Sequence, residues 1–156
     1  MEPDAHDHDA LEIRALIDRQ FASLNWSPGT TGNWQAFAND FLPGAVLYPA
    51  ARPPKPQTVD AFVQRMKGLA ATSLSSFREA VVGNPIVHVF GSIAVAVGVC
   101  EIIENNTVAN RGVEMMLFVK SDGAWRIVAQ AWDTENAMRA IPEELLRADP
   151  NGPAPV

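Results

Sequence analysis

At 156 residues and 47% hydrophobic content, the chain is the size of one domain and carries enough apolar side chain to bury a core. A net charge of -6 with no Lys/Arg cluster lacks the attraction that phosphate backbones require, which excludes nucleic acid as a partner. Cys100 is the single cysteine, so no internal disulfide is available, and no run is long and apolar enough for a signal peptide or membrane span; a reducing, cytoplasmic setting without membrane contact is expected.

Taken in order, residues 1–9 read as a disordered acidic tail and the single domain as residues 10–148. Asp9 and Glu12 have the spacing of a capping box, and Ile13, Leu16, Ile17, Phe21 and Leu24 then repeat at helical intervals, which predicts a helix over 10–24. Ser27 to Gly32 is turn chemistry. Asn33 then caps a short helix with Trp34, Phe37 and Phe41 on its buried stripe, stopped by Pro43 and Gly44. Residues 45–48 read as a short strand and 49–56, with Pro53, Pro54 and Pro56, as a stiff irregular connection. Thr58 caps a third helix whose inner face carries Val59, Phe62, Val63, Met66 and Leu69.

From Phe77 the period becomes strand-like. Apolar runs over 77–90, 93–103, 111–120 and 124–132 are separated by turn signals at Gly91-Ser92, Asn105-Asn106 and Asp122-Gly123, the pattern of an antiparallel meander. Residues 135–139 suggest a turn of helix, Pro142-Glu143-Glu144 opens a short one, and 149–156 read as a disordered tail. Segregated helices and strands make this an α+β fold with N-terminal helices on one face of a strongly curved, mostly antiparallel sheet. Residues 93–103 are apolar at nearly every position, so both faces of that strand need cover, and a second copy of the chain is expected on the face that the helices leave open.

The helical N-terminal half, the proline-rich connection and the final hairpin Val119-Lys120-Ser121-Asp122-Gly123-Ala124-Trp125-Arg126-Ile127-Val128 resemble the nuclear transport factor 2-like superfamily in its SnoaL-like branch, over about residues 11–134. The resemblance implies a cystatin-like cone with a pocket between sheet and helices. It also implies a range of roles that includes ketosteroid isomerases, polyketide cyclases, dehydratases and pocket proteins without a reaction, so fold constrains function poorly. The catalytic aspartate that such isomerases carry has no acidic counterpart in Ala45-Val46-Leu47-Tyr48.

With Asp122-Gly123 as a two-residue turn, uninterrupted pairing sets Phe118 opposite Ile127, Met116 opposite Ala129, Glu114 opposite Ala131 and Gly112 opposite Asp133. Glu114 and Asp133 would then share the pocket face as general acid and base, with Tyr48 as hydrogen-bond donor. Met116, Phe118, Ala129, Trp34, Arg52 and His88 are the expected substrate contacts. The opposing readings are Glu114 paired with Arg111 or Arg126, Asp133 ending its strand in solvent, Tyr48 and His88 as packing residues, and Arg52 as a solvated loop residue. A one-residue slip would instead bring Gln130, Trp132 and Arg111 to the pocket.

Cys100 reads as a small buried hydrophobe, and His6-Asp7-His8-Asp9 lacks the further ligands that fix a metal. No Gly-rich phosphate loop or paired metal motif is present, so no cofactor and no metal are implied. Three functions stay open: a cofactor-independent isomerase, cyclase or dehydratase acting on a small apolar carbonyl compound, a dimeric domain that binds a small molecule without turning it over, or a purely structural dimer with a collapsed cavity.

Overall fold

The apolar stripe of the first helix is realised in α1 (Ala5–Ser23), where Ile13, Leu16, Ile17 and Phe21 are buried; the computed structural model describes residues 5–50 and 52–146. The helix begins a turn earlier than the capping-box reading, so residues 5–9, expected in the tail, are helical. Asp9 does not cap it. Its carboxylate accepts hydrogen bonds from Trp125 Nε1 and Lys120 Nζ, both at 2.9 Å, and pins the helix to the last hairpin. The expected C-terminal tail, residues 149–156, lies outside the described residues.

Asn33 caps α2 (Trp34–Asn39) through Ala36 N–H at 3.2 Å, and Thr58 caps α3 (Val59–Ala71) through Ala61 N–H at 3.0 Å. Between them β1 (Phe41–Tyr48) starts earlier than expected and includes Pro43 and Gly44. It tolerates them because it is an edge strand, bridged on its outer side only at Leu47 by Gln57, with its register to β5 shifting between Phe41 and Val46.

The meander follows as β2 (Phe77–Phe90), β3 (Ile93–Glu104), β4 (Thr107–Ser121) and β5 (Ala124–Thr134). Its turns are those the sequence announces: Gly91 has φ +56°, Asn105 and Asn106 have φ 50° and 64°, and Asp122 and Gly123 have φ 52° and 76°. The sheet order is β1-β5-β4-β3-β2, antiparallel except that β1 runs parallel to β5.

The helices cover one face of this curved sheet, and the core between them gathers Ile13, Ile17, Phe37, Leu47, Phe118 and Ile127. On the other face the chain supplies part of its own cover. After a turn closed by Asn136 and Arg139, where a helical turn was expected, Ile141 is buried and α4 (Glu143–Leu146) packs on β2 and β3. The rest of that face stays open, with Val95 43%, Met115 56% and Leu117 42% exposed. No helix among the described residues is long and apolar enough to cross a membrane.

Candidate functional site

Asp122-Gly123 does set Phe118 opposite Ile127 as expected, but the pairing is then interrupted. Leu117 faces Ala129, so Val128 is the extra residue of a β-bulge, and every later residue of β5 changes face. Met116 now faces Gln130, Glu114 faces Trp132 and Val113 faces Asp133. The expected Glu114 and Asp133 pair is therefore split across the sheet, and Gln130 takes the inner place that Ala129 was given.

On the helix side lies a cavity of about 230 Å³. Its walls are mostly aliphatic and aromatic, with Arg65 and Glu104 also lining it: Phe37 stacks on Phe62 at 5.3 Å, and Trp132 meets Phe62 edge-on at 5.8 Å. A buried polar row runs beneath it, from Glu79 on β2 through Cys100 on β3 and Glu114 on β4 to Gln130 on β5, of which Glu79, Glu114 and Gln130 line the cavity. Gln20 of α1 meets the end of the row. Gln20 Nε2 donates to Gln130 Oε1 at 2.7 Å, and Gln130 Nε2 donates to Glu114 Oε2 at 2.5 Å. Glu114 and Glu79 hydrogen-bond to each other, and the Cys100 thiol bonds to Glu79.

Burial sets the chemistry of this row. Glu79 and Glu114 are 7% and 4% exposed, and desolvation disfavours their charged forms. It pushes Glu79 up to about 7, and it raises Glu114 further, with the charge of Glu79 adding to the effect. Burial also pushes the Cys100 thiol up, so it stays protonated. Glu79, Cys100 and Glu114 each place one ligand atom within 4.8 Å of the others, a spacing that a metal ion could span. Their bonds to one another make the row a proton-sharing cluster as it stands.

The other expected residues lie elsewhere. Asp133 is on the outer face, where its carboxylate takes Arg52 Nη2 at 2.5 Å and Arg139 Nη2 at 2.9 Å. The Thr134 N–H, then Arg139 and Arg52, hold it below the usual carboxylate range. Tyr48, paired with Ala131 and 40% exposed, joins Arg52 and Asp133 in a separate outer pocket of about 690 Å³. Ala129 faces that side too, against Tyr48 and Leu117. His88 is exposed, because Val87 and Val89 are the residues of β2 that turn to the core. Trp34 packs on Trp26 and borders a groove beside α3. Met116 and Phe118 point inward as expected but are spent on core packing, and Arg111 lies 3.7 Å from Glu101. Of the catalytic and substrate-contact residues named from sequence, Glu114 alone lines the inner cavity, joined by the Gln130 and Trp132 of the slipped register.

Compared with known proteins, the chain matches no family model and no curated protein. Solved structures do match. A cystatin-like protein of unknown function from Nostoc punctiforme superposes with a TM-score of 0.68 at 16% identity, over 88% of this chain and 97% of that one. A nuclear transport factor 2-like superfamily protein from Salmonella enterica gives 0.66 at 16%, over 83% and 93%. An NTF2-like protein with a cystatin-like fold from Novosphingobium aromaticivorans gives 0.65 at 17%, over 83% and 84%. The chain has the cystatin-like, NTF2-like fold. At these identities the likeness is one of fold, and the chemistry has to be read from the site.

Two cavity residues passed over in sequence left legible signals. Glu79 is two residues after Phe77, so in a strand it must share that residue's inward face. Gln20 sits on the helical stripe, four residues after Leu16 and four before Leu24, at an otherwise apolar position. The bulge also had a trace: Trp125 and Ile127 share one face, and Trp132, five residues after Ile127, can join them only if the alternation breaks.

Proposed function

We propose that this NTF2-like chain is a SnoaL-like, cofactor-independent enzyme that moves a proton on a small carbonyl compound held in the inner cavity. The single observation behind this reading is the pair of buried, mutually hydrogen-bonded carboxyl groups, Glu79 and Glu114, that face an apolar cavity. Glu114 keeps a proton and donates it to Glu79, while Gln130 orients it; Glu79, near neutrality in proton affinity, is the base that removes a proton next to the substrate carbonyl. A protonated Glu114 beside it can return a proton to the product. The cavity size selects single-ring substrates, since an apolar cavity of roughly 150 Å³ already admits a benzene ring.

Two copies pair through the open outer sheet face, where Val95, Met115 and Leu117 form an apolar surface. Asp133, Tyr48 and Arg52 take no part in proton transfer; the Arg52–Asp133 ion pair anchors the proline-rich loop to the end of β5.

The test is hydrogen–deuterium exchange next to the carbonyl of small cyclic ketones, followed by NMR. Exchange above the buffer rate that is lost in Glu79→Gln and kept in Asp133→Asn supports the reading. The alternative, a pocket that binds without turnover, is favoured by ketone binding with exchange no faster than buffer.

A further inference from the structure

Among the residues that line the inner cavity, Arg65 on α3 is exposed and Leu69, Ile102, Glu104 and Trp132 are half-buried, so these five mark its mouth. The guanidinium carbon of Arg65 lies 5.2 Å from the centre of the Phe62 ring, itself part of the cavity wall. Contact with a ring face uses none of the N–H donors of a guanidinium. Among the described residues nothing else engages them, since the Arg65 side chain forms no ion pair and no hydrogen bond. Although Arg65 is exposed as a residue, burial of part of its side chain lowers its proton affinity, so the charge is held partly desolvated and without a counter-ion. The acids of the same cavity do not supply one. Glu79 and Glu114 are bonded to each other, to Gln130 and to Cys100 on the floor, and Glu104 at the mouth forms no ion pair with Arg65.

We infer that the cavity takes a single-ring compound carrying a carboxylate, and that Arg65 holds this carboxylate at the mouth while the ring occupies the apolar interior. The inference rests on the functional reading above in taking the inner cavity as the site, and it narrows the substrate to a ring keto acid. A planar guanidinium meets a carboxylate through two parallel N–H···O bonds, which a carboxamide of the same shape cannot match in strength. Glu104 repels such a ligand, but contact with Arg65 is the closer interaction and outweighs it. With the charged end anchored at the mouth, the ring carbonyl is left facing the floor, where Glu79 and Glu114 lie.

Binding of benzoate and benzamide, a pair alike in shape and different in charge, tests this by calorimetry or ligand-observed NMR, with no turnover needed. The wild type should bind benzoate about tenfold more tightly than benzamide. Arg65→Gln should remove that preference while changing benzamide affinity by less than about threefold. Lys67→Gln, which takes away a nearby cation of α3 that does not line this cavity, should keep it. Equal wild-type affinity for the two compounds would overturn the inference, even if Arg65→Gln fails to fold. So would a preference that survives in a folded Arg65→Gln or is lost equally in Lys67→Gln, or no binding of either compound. Glu79→Gln should keep the preference for benzoate. If exchange next to the ketone carbonyl is absent while this preference holds, only the catalytic reading fails; if cyclohexanone exchanges but its ring carboxylic acid exchanges no faster than the matching amide, only the role of Arg65 fails.

Discussion

Glu114 on β4 and Asp133 on β5 sit one pairing position apart, yet the first is sealed among Glu79, Gln130 and apolar rings and the second is held in the open between two arginines. The same functional group is pushed towards its neutral form on one face of the sheet and towards its charged form on the other. What differs is solvation and partner charge, not sequence distance. A carboxylate flanked by guanidinium groups is a poor base, whereas one buried beside a protonated neighbour is poised for proton transfer near pH 7.

The comparison is sharpest in activity. Replacing Glu79 or Glu114 with Gln keeps shape and hydrogen-bonding capacity but removes the shared proton, and exchange into a cyclic ketone should fall by roughly a hundred- to ten-thousand-fold. Asp133→Asn should change it by less than about threefold, since a solvent-screened ion pair contributes little. Comparable losses in all three variants would erase the distinction between the faces.

Assembly separates the faces next. Met115 and Leu117 are exposed in the single chain, so Leu117→Glu should convert a particle of twice the chain mass to one of chain mass in light scattering, with the circular dichroism of the fold retained. A wild-type protein already at chain mass would remove the outer face as an interface.

Stability against pH gives a smaller contrast. Glu79 has a raised proton affinity in the folded state, so its contribution to stability is present below about pH 4.5 and is lost as pH rises through about 7. Between pH 6 and 8 the melting temperature of wild type should therefore fall more than that of Glu79→Gln, where the neutral amide carries no such penalty. Equal slopes would mean that Glu79 is ionised and solvated. The smallest effect is expected at the outer carboxylate: Asp133→Ala removes one partner of Arg52 and of Arg139, which keep their bonds to Ala50 O and Thr134 O, and should lower the melting temperature by no more than about 5 °C.

Local signals carried most of the architecture into the sequence. Caps at Asn33 and Thr58, three hairpin turns and the stripe of α1 each depend on a few neighbouring residues, and all were legible. So was the inward face of Glu114, which follows from the alternation along β4 itself; the extra residue lies in β5 and changes only the partner Glu114 faces. The helical start at Ala5 was missed because Asp9 bonds to Trp125 and Lys120 more than a hundred residues away, in place of the local cap that its spacing suggested. The places of Asp133, Ala129 and Gln130 were decided by one extra residue, Val128, where β5 fits between β1 and β4 and both neighbouring pairings shift. Strand alternation has a period of two, so a single bulge exchanges every side chain beyond it between the faces, and nothing within the strand's own composition compels it. The proton-sharing row is likewise tertiary. Gln20, Glu79, Cys100, Glu114 and Gln130 come from one helix and four strands, and their proton affinities arise from burial together, a property that no residue carries alone.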